Sequence, residues 1–387
     1  ICIIYRSKVV IKLTIEEYKN KYFTGNKIVL SINSFDNKEL YYHETENILN
    51  LINEIDKLTS SKIFKTIEDK NDLALESYYS SVIEGAFSTR KIAKSIIRGK
   101  MKPSNKSEYM IYNNHRALEY GLDNLDKLYS HKFIYDLHHI LGENCLDSEE
   151  YEYRTEKVYV CDSKGEIIHT GLEPLKIYDF MSKLIDFMEN SKVSNLIKSA
   201  IIHFYFVYVH PFSDGNGRTS RALSYLYLID KGYDTFKDFS ISYMISKNRT
   251  KYYKAILDVE NKGNNLTVFI EFMLKSIIQS INEMRDMHDR KSLESILKEE
   301  LFENDITLSA TEEHILKYIC NKDNYSMTLE NYIKKNKGRY LKAGIKEIEL
   351  VDQLMEVFNN LEEIEILSKE KNIYKVNDKY LKMLDID

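Results

Sequence analysis

Hydrophobic residues recur at helical spacing along most of the chain. The stretches 131–141, 174–191 and 195–209 carry apolar residues at positions i, i+3 and i+4, and residues 265–300 continue a helical pattern over a greater length. This spacing puts apolar side chains on one face of a helix. The pattern predicts a mainly α-helical protein, and it predicts a helical N-terminal region at residues 1–70, where ENILNLINEIDKL has the same spacing.

One stretch breaks this pattern. In KVYVCDSKGEIIHTG (157–171), β-forming residues flank a Ser-Lys-Gly sequence. Short β-forming runs on both sides of a glycine-containing turn are typical of a β-hairpin. The sequence therefore predicts a hairpin between the helices.

The pattern changes after residue 300. LSATEEHILKYI, MTLENYIKK and LVDQLMEVFNNL predict three short helices, and IEILSKEKNIYKVN predicts a hairpin. Together they predict a winged-helix-like α/β module at residues 300–387. Its third helix is acidic where a DNA-reading helix is basic. A basic cluster at 333–346 leaves DNA binding open, but the net acidic character favours partner binding or dimerisation.

Composition narrows the class of protein. The chain has 387 residues, of which 43% are hydrophobic and 30% charged, values that are ordinary for a globular protein. Its net charge of -5 gives no general attraction to nucleic acid or anionic membranes. The 4 cysteines lack metal-ligand spacing, which predicts a reducing, cytoplasmic environment without zinc or disulfides. The opening ICIIYRSKVVIKL is too short and charged for a signal sequence, and no stretch approaches the roughly 18 apolar residues of a membrane span.

The sequence HPFSDGNGRTSR (210–221) concentrates glycine and charged residues between two helical stretches. It predicts a loop that leads into the first turn of the second helix, where backbone N–H groups are free and the helix dipole is positive. Glycines at 215 and 217 let these amides approach phosphate oxygens closely. Arg218 and Arg221 are three residues apart, so both can contact the same anion.

Three further residues of this loop have candidate roles, two in catalysis and one in holding the loop in place. Asp214 beside a polyphosphate is a natural Mg²⁺ ligand, and His210 suits a general base that removes a proton from a hydroxyl. Phe212 is expected to point into the core and fix the loop. Together these residues predict transfer of a phosphorus group. The alternative is a plain helix–loop–helix turn with a glycine cap and solvated arginines.

The loop resembles the Fic family signature, HPFx[DE]GNGRxxR. All specified positions match: His210, Pro211, Phe212, Asp214, Gly215, Asn216, Gly217, Arg218 and Arg221. Members of that family mostly move AMP from ATP to a hydroxyl of a target protein and release pyrophosphate. The resemblance implies His210 as the base, Asp214 as the Mg²⁺ ligand and residues 215–217 as the anion hole. It also implies that Arg218 binds the α- and β-phosphates and Arg221 the γ-phosphate.

The resemblance extends over about residues 70 to 290 and implies a catalytic domain at 71–295 with a Fic-type helical core. The predicted hairpin lies where the family has its target-docking flap, which implies docking residues Ile167, Ile168, His169, Thr170 and Gly171. Tyr153-Arg154 is similar to the residues that precede the flap. Tyr253 and Asn261 resemble the residues that close over adenine. The alternatives are a hairpin without a partner and a tyrosine pair that packs in the core.

A second motif, SSVIEG (80–85), fits the family's inhibitory helix pattern [ST]xxxE[GN] through Ser80, Glu84 and Gly85. The resemblance therefore implies an inhibitory helix near residues 75–85, on the N-terminal side of the core. A carboxylate paired with Arg221 would occupy the guanidinium that the γ-phosphate needs. The alternative is a helix end with a solvated glutamate.

Two functional hypotheses follow. The first is an autoinhibited AMP-transferase that uses ATP and Mg²⁺, acts on a Ser, Thr or Tyr hydroxyl of a protein target or of itself, also removes AMP, and forms a homo-oligomer. The second is a nucleotide-sensing, DNA-binding regulator. The presence of His210 favours the enzyme, because sensing a nucleotide requires no base.

Overall fold

The computed structural model describes residues 24–60, 73–146, 151–161 and 164–384. The opening ICIIYRSKVVIKL and part of the predicted N-terminal region lie outside these residues. The chain divides into two compact units, Ile1–Asn282 and Glu283–Asp387. Helices predominate in the described residues and the sheets are small, which confirms the mainly α fold class.

The N-terminal region contains a β-hairpin in addition to its predicted helix. Strand β1 (Asn26–Asn33) pairs antiparallel with β2 (Glu39–Glu44), and helix α1 (Glu46–Thr59) follows. Leu30 and Ile32 are buried while their neighbours are more exposed, which is the period-two pattern of a strand. The helical prediction missed this hairpin because its apolar alternation covers only a few residues.

Ten further helices begin in the described residues of the first unit: α2 (Leu73–Ile83), α3 (Arg90–Ile97), α4 (Lys106–Asp123), α5 (His131–Gly142), α6 (Pro174–Asn190), α7 (Asn195–Val209), α8 (Asn216–Asp230), α9 (Ile241–Lys247), α10 (Arg249–Asn261) and α11 (Thr267–Glu303). Strands β3 (Tyr159–Cys161) and β4 (Ile167–Thr170) form an antiparallel pair between α5 and α6. The predicted hairpin at 157–171 is therefore present.

Helices α7 and α8 lie in the core of the first unit. Almost every residue of each helix is buried, including polar residues of α8 such as Ser220 and Ser224. The sequence of α7 is apolar on nearly all sides, which is typical of a helix surrounded by others. The loop that joins α7 to α8 is thus held at both ends by buried helices.

The second unit has its own core. Leu293, Leu297 and Leu301 of α11 pack with α12 (Ala310–Cys320), α13 (Leu329–Lys342) and α14 (Glu347–Glu363). A three-stranded antiparallel sheet has the order β5 (Ser326–Thr328), β7 (Ile373–Val376), β6 (Leu367–Glu370), and the short helix α15 (Asp378–Leu381) follows. The three predicted helices and the predicted hairpin are all found. The sheet also contains β5, which the sequence pattern did not indicate.

None of the helices in the described ranges combines the length and the apolar character that a membrane span requires.

Candidate active site

The loop between α7 and α8 has an unusual backbone at both of its ends. His210 follows α7 in the left-handed region with φ 54° and ψ 60°, and Gly215 precedes α8 with φ 80°. Glycine adopts this conformation readily, whereas a histidine there is held by its surroundings. The loop is therefore a fixed structure that presents the His210 side chain at the end of a buried helix.

The last carbonyl groups of α7 determine how His210 is held. Its backbone N–H donates to the Phe206 carbonyl at 3.0 Å. Its ring Nδ1 lies 3.2 Å from the Val207 carbonyl oxygen, which can only accept. Nδ1 therefore carries the proton in the neutral ring, and Nε2 has a lone pair.

His210 is almost fully buried, and burial is the main reason that its pKa is lowered to about 3. His169 lies nearby, with 6.4 Å between the ring centroids, and its charge lowers the pKa of His210 further. The imidazole is therefore neutral at physiological pH. A neutral ring with a free Nε2 lone pair can accept a proton.

Arg154 holds the start of the loop from the other side. Its Nε–H donates to the His210 carbonyl at 2.8 Å, its Nη2 donates to the Leu172 carbonyl at 2.7 Å, and its backbone N–H donates to the Pro211 carbonyl. A Cβ at Gly171 would lie 2.7 Å from Arg154 Nη2, so only glycine fits beside this guanidinium. Arg154 thus joins the loop to the end of the β3–β4 hairpin.

Phe212 lies in the core, as predicted. Its ring stacks on His138 of α5 with 3.6 Å between the centroids and an interplanar angle of 1°. His138 Nε2–H donates to the Asp214 carbonyl at 2.9 Å. The side chain of Asn216 accepts from the Phe212 N–H and donates to the Phe212 carbonyl. Asn216 closes the loop with its side chain, so its backbone N–H is the group it offers to a ligand.

The carboxylate of Glu84 lies against the first turn of α8. A Cβ at Gly217 would overlap Glu84 Oε1, so glycine is required for this approach. Glu84 follows the last residue of α2, and Gly85 continues the turn with φ 91°. The first turn of α8 is the predicted anion site, and a carboxylate is favoured at a helix N-terminus. In this structure the protein's own carboxylate occupies that position.

Arg221 joins the same carboxylate. Its Nη2 lies 2.8 Å from Glu84 Oε1 and 2.8 Å from the Ser80 carbonyl oxygen, and its Nε donates to Ser80 Oγ at 2.9 Å. The Arg221 side chain is 2% exposed and that of Glu84 is 18% exposed, so water screens this ion pair weakly. The structure thus brings Ser80, Glu84 and Arg221 together in the way that SSVIEG suggested.

Arg218 is also buried, but it contacts the end of α5 and the residues after it rather than α2. Its Nη1 donates to the Leu141 carbonyl at 2.9 Å and lies 3.4 Å from Cys145 Sγ. Its Nε has no hydrogen-bond partner among the described residues. A buried donor without a partner carries a desolvation penalty that an anionic ligand would remove.

Asp214 is half-buried beside this turn, and its Oδ1 accepts from the Gly215 N–H at 2.6 Å. The described residues contain no group of three or more His, Cys, Asp and Glu side chains that could hold a metal ion. Mg²⁺ does not need such a group, because it commonly binds one or two carboxylates together with phosphate oxygens. The donor set around Asp214 therefore fits a magnesium ion that arrives with a polyphosphate.

The two predicted adenine-pocket residues lie at different places on α10. Tyr253 is beside α2: its hydroxyl is 3.4 Å from the Ile83 carbonyl, and burial together with Glu84 raises the pKa of this tyrosine. Asn261 is the last residue of α10 and is exposed. The structure brings Tyr253, but not Asn261, next to the Glu84–Arg221 pair.

The predicted flap residues divide into two sets. Ile167 and Thr170 are exposed, as a surface for a partner requires. His169 turns inward, where Nδ1 lies 2.7 Å from Glu260 Oε2 and Nε2 lies 2.8 Å from the Tyr208 carbonyl oxygen. Phe35 of the N-terminal hairpin stacks on Tyr208 with 4.0 Å between the centroids. The flap and the N-terminal hairpin line a common cleft of about 740 Å³.

Sequence reasoning missed the roles of His138 and Glu260, and gave Arg154 no function. His138 lies on the predicted helix 131–141, but a single polar residue on an apolar face carries no signal for its partner. Glu260 looks like any surface carboxylate near a helix end. Their roles depend on contacts between residues that are far apart in the chain.

Residues 128–228 match the model of the Fic/DOC family. The chain is 30% identical over 205 residues to "Protein adenylyltransferase Fic" of Drosophila mojavensis, an alignment that covers 51% of this chain and 38% of the relative. It is 26% identical over 241 residues to the protein of the same name in Nematostella vectensis, covering 55% of this chain and 53% of the relative. The matched regions thus span about two fifths to one half of these relatives.

The fold is similar to the crystal structure of a Fic family protein from Desulfovibrio desulfuricans, with a TM-score of 0.56 and 18% identity. The comparison covers 87% of this chain and 97% of that one. The family match includes the whole loop between α7 and α8, with its buried histidine and its glycine-rich helix start. The chain therefore carries a Fic/DOC family domain at residues 128–228.

Proposed function

We propose that this protein transfers AMP from ATP to a hydroxyl group of a protein target. The observation that carries the proposal is the rigid loop between α7 and α8. The neutral His210 lies at one end of this loop, and the other end leads into the first turn of α8, against which the Glu84 carboxylate lies. The relatives named protein adenylyltransferase Fic support this reaction. Because the matched regions cover only part of those relatives, the activity and the target of this chain remain proposals.

In the proposed reaction, His210 Nε2 accepts the proton of the attacking hydroxyl. The hydroxyl oxygen forms a bond to the α-phosphorus while the bond between that phosphorus and the bridging oxygen breaks, and pyrophosphate leaves. The proton on Nδ1 stays on that nitrogen and keeps its hydrogen bond to the Val207 carbonyl, which fixes the ring for the transfer. The negative triphosphate would raise the low pKa of His210 when ATP binds, which makes the ring a stronger base in the complex.

The nucleotide would be held mainly by α8. The backbone N–H groups of residues 215–217 would bind the phosphates, for which the Gly215 N–H would have to leave Asp214 Oδ1. Arg218 would lie at the α- and β-phosphates and Arg221 at the γ-phosphate. Asp214 would hold Mg²⁺, which neutralises phosphate charge when it is bound. Tyr253 would pack against adenine. Asn261 is exposed, so it would contribute less to adenine binding. The target would dock along the exposed side of β4.

Glu84 would inhibit this reaction by competition. Its carboxylate takes the Arg221 guanidinium and the first turn of α8, which are the groups that the γ-phosphate needs. ATP bound without this contact would not align its α-phosphorus for attack, and a misplacement of about 1 Å can reduce a rate on the order of 10²-fold. The second part of the proposed activity is removal of AMP, in which the same carboxylate would orient a water.

The test uses the full chain with Mg²⁺ and ATP labelled on the α-phosphate. We expect label to enter protein in the Glu84→Gly variant, and we expect Glu84→Gly combined with His210→Ala to transfer none while it still binds ATP. Equal incorporation with and without His210 would exclude it as the base. ATP labelled on the γ-phosphate is the control, because phosphate transfer would label protein with that substrate instead.

We further propose that the second unit binds a second copy of the chain rather than DNA. Ile348, Val351 and Met355 form an exposed apolar stripe on α14, and Ile348 is 86% exposed. Asp352 and Glu356 flank the stripe, so this face repels phosphates. The exposed face of α13 is basic, through Lys334 and Lys335 among others. A surface with one acidic and one basic helix is complementary to its own copy about a two-fold axis.

Light scattering of the full chain tests this proposal. We expect a dimer for the wild type and a monomer for Ile348→Lys combined with Met355→Lys. Binding of a labelled duplex DNA at low salt, lost in Lys334→Glu combined with Lys335→Glu, would support the DNA-binding regulator instead.

Cys145 and Cys320 are buried free thiols, which fits the cytoplasmic location that we also propose.

A further inference from the structure

The guanidinium of Arg221 has polar neighbours beyond Ser80 and Glu84. Tyr252 of α10 is 1% exposed and lies beside it. Burial raises the pKa of Tyr252 to about 12, and Arg221 is close enough to the hydroxyl to act against this shift by its charge and by hydrogen bonding. Arg221 is therefore in contact with a helix that does not carry the inhibitory carboxylate.

Tyr252 is itself fixed by His203 of α7. The Tyr252 hydroxyl lies 2.7 Å from His203 Nε2, and the two rings meet edge to face with 5.6 Å between their centroids. His203 is fully buried, and burial, together with the charge of Arg221, lowers its pKa to about 3. The imidazole is therefore neutral and carries one ring proton.

The hydrogen-bonding groups determine where the protons of this pair lie. A guanidinium only donates, so the Tyr252 oxygen offers a lone pair to Arg221. The Tyr252 O–H then donates to His203 Nε2, and the ring proton of His203 is on Nδ1. In this arrangement the hydroxyl proton points away from the positive charge. His203 thus determines which side of the hydroxyl faces Arg221.

A small internal cavity lies on the other side of His203. The cavity has a volume of about 20 Å³, and Glu76, Ser199 and Ser224 line it together with His203. His203 Nδ1 is buried and has no hydrogen-bond partner among the described residues. The cavity is large enough for one water molecule, and its polar lining offers the partners that a buried water needs. Such a water would accept from Nδ1–H and donate to the Glu76 carboxylate.

We infer that Tyr252 and His203 are positioning residues, which hold the Arg221 guanidinium in place for the γ-phosphate after Glu84 has left it. The inference deepens the proposed AMP transfer and rests on it, because the γ-phosphate is the ligand that would replace Glu84. Ser80 holds Arg221 from α2, the helix that leads to Glu84. Tyr252 and His203 belong to α10 and α7, so their support does not depend on that helix.

A comparison of ATP with ADP tests the inference, because the two nucleotides differ by the γ-phosphate that Arg221 would bind. The affinities are measured by calorimetry with Mg²⁺ on the full chain carrying Glu84→Gly and His210→Ala, so that no transfer consumes ATP. We expect Tyr252→Phe to weaken ATP binding about tenfold, the effect of one lost hydrogen bond to a charged group, and to change ADP binding less than about twofold. An equal loss for both nucleotides, or no loss for ATP, would overturn the inference.

Two substitutions of His203 test the direction of the Tyr252 hydroxyl in the same background. His203→Gln keeps an acceptor near the position of Nε2, so this variant should keep most of its preference for ATP over ADP. His203→Leu removes the acceptor and should lose about as much ATP affinity as Tyr252→Phe does. Unchanged ADP binding shows in each variant that the protein is folded. Equal ATP affinities of the Gln and Leu variants would contradict the role of His203.

Tyr227→Phe is the matched control. Tyr227 is also a buried tyrosine and lies on the same helix as Arg221, but its hydroxyl donates to Asn195 Oδ1 at 2.8 Å. Loss of this hydroxyl should leave the ratio of ATP to ADP affinity unchanged. A change as large as that of Tyr252→Phe would make the effect a general one of core tyrosines and would count against the inference.

Arg221→Ala separates the inference from the proposed function. If it leaves the difference between ATP and ADP unchanged, the γ-phosphate assignment of the proposed function fails, and the inference fails with it. If Arg221→Ala removes the difference while Tyr252→Phe does not reduce it, only the inference fails. If Tyr252→Phe acts as expected but no labelled AMP enters protein, the proposed transfer fails and the positioning of Arg221 stands.

Discussion

Glu76 in the first turn of α2 and Glu84 directly after its last residue are the same chemical group in two different surroundings. Glu76 is 4% exposed and accepts three hydrogen bonds from neutral donors at the start of α9: Ser240 Oγ at 2.8 Å, the Ser242 N–H at 3.1 Å and Ser242 Oγ. Glu84 is more exposed and bonds a single cation, Arg221.

Under the proposed function, the difference separates a fixed end of α2 from an end whose contact ATP would exchange. The partners of Glu76 are short side chains and a backbone N–H, and an incoming phosphate would gain nothing by displacing the carboxylate there. The partner of Glu84 is a guanidinium, which binds phosphate at least as well as carboxylate. The helix is thus anchored at its beginning, and its end is held by a contact that the γ-phosphate would replace in the proposed reaction.

The largest expected effect comes from removing the exchangeable contact. We expect Glu84→Gly to raise kcat for AMP transfer on the order of 10²-fold, because the γ-phosphate can then bind Arg221 and align the α-phosphorus. The measurement is the initial rate with saturating labelled ATP. Arg221→Ala serves as the control: it also breaks the ion pair, but it removes the phosphate ligand and should give no activation.

Removing the fixed contact should act on stability instead. We expect Glu76→Ala to lower the free energy of unfolding by about 2 kcal/mol, because it leaves buried donors of Ser240 and Ser242 without an acceptor. Denaturant unfolding of the full chain gives this value. Activation should stay well below that of Glu84→Gly. If Glu76→Ala activated the proposed AMP transfer as strongly, the beginning of α2 would not be its anchor.

A smaller effect is expected at Ser80, which contacts the same Arg221 side chain that pairs with Glu84. Its hydroxyl accepts from Arg221 Nε at 2.9 Å. We expect Ser80→Ala to lower stability by about 1 kcal/mol and to change the rate only a few-fold, because Glu84 and the Ser80 carbonyl still hold Arg221. Thermal unfolding and the same rate assay test this. A rate equal to that of Glu84→Gly would make the hydroxyl, and not the carboxylate, the inhibitory group.

The smallest expected effect concerns pH. It tests the proposed base, His210, in a variant that lacks the Glu84 carboxylate. The pKa of His210 is lowered to about 3, so its basic form is present above that pH and is lost only below it. We expect bound ATP to raise this pKa without bringing protonation of the ring into the range from pH 7 to pH 6, so the transfer rate of the Glu84→Gly variant should change less than about twofold there. A rate that halves with an apparent pKa near 6.5 would show that bound ATP restores ordinary basicity to the ring.

The sequence predicted the exchangeable end of α2 but not the fixed one. Ser80, Glu84 and Arg221 belong to two motifs with recognisable spacing, and the structure joins them. Glu76 belongs to no motif, and its partners Ser240 and Ser242 follow it by more than 160 residues. Long-range contacts of single polar side chains leave no periodic signal.

The same limit applies to the fold. Helices α5, α6 and α7 and the β3–β4 hairpin follow from patterns that a short window of sequence contains. Strand β5 is short, the apolar alternation of the β1–β2 hairpin covers only a few residues, and the neighbours of both give stronger helical signals. The inward direction of His169 also depends on which face of the flap packs on α7, a fact that only the tertiary structure contains.

Gly217 lies where two contacts of the proposed reaction meet. A side chain at residue 217 would overlap the Glu84 carboxylate, and under the proposed function it would also enter the space of the γ-phosphate. A substitution at residue 217 would therefore disturb the restraint and the nucleotide site together. Residue 84 lies on a separate segment of the chain and reaches Arg221 through its carboxylate, so under the same proposal one substitution there would remove the restraint and leave the first turn of α8 unchanged.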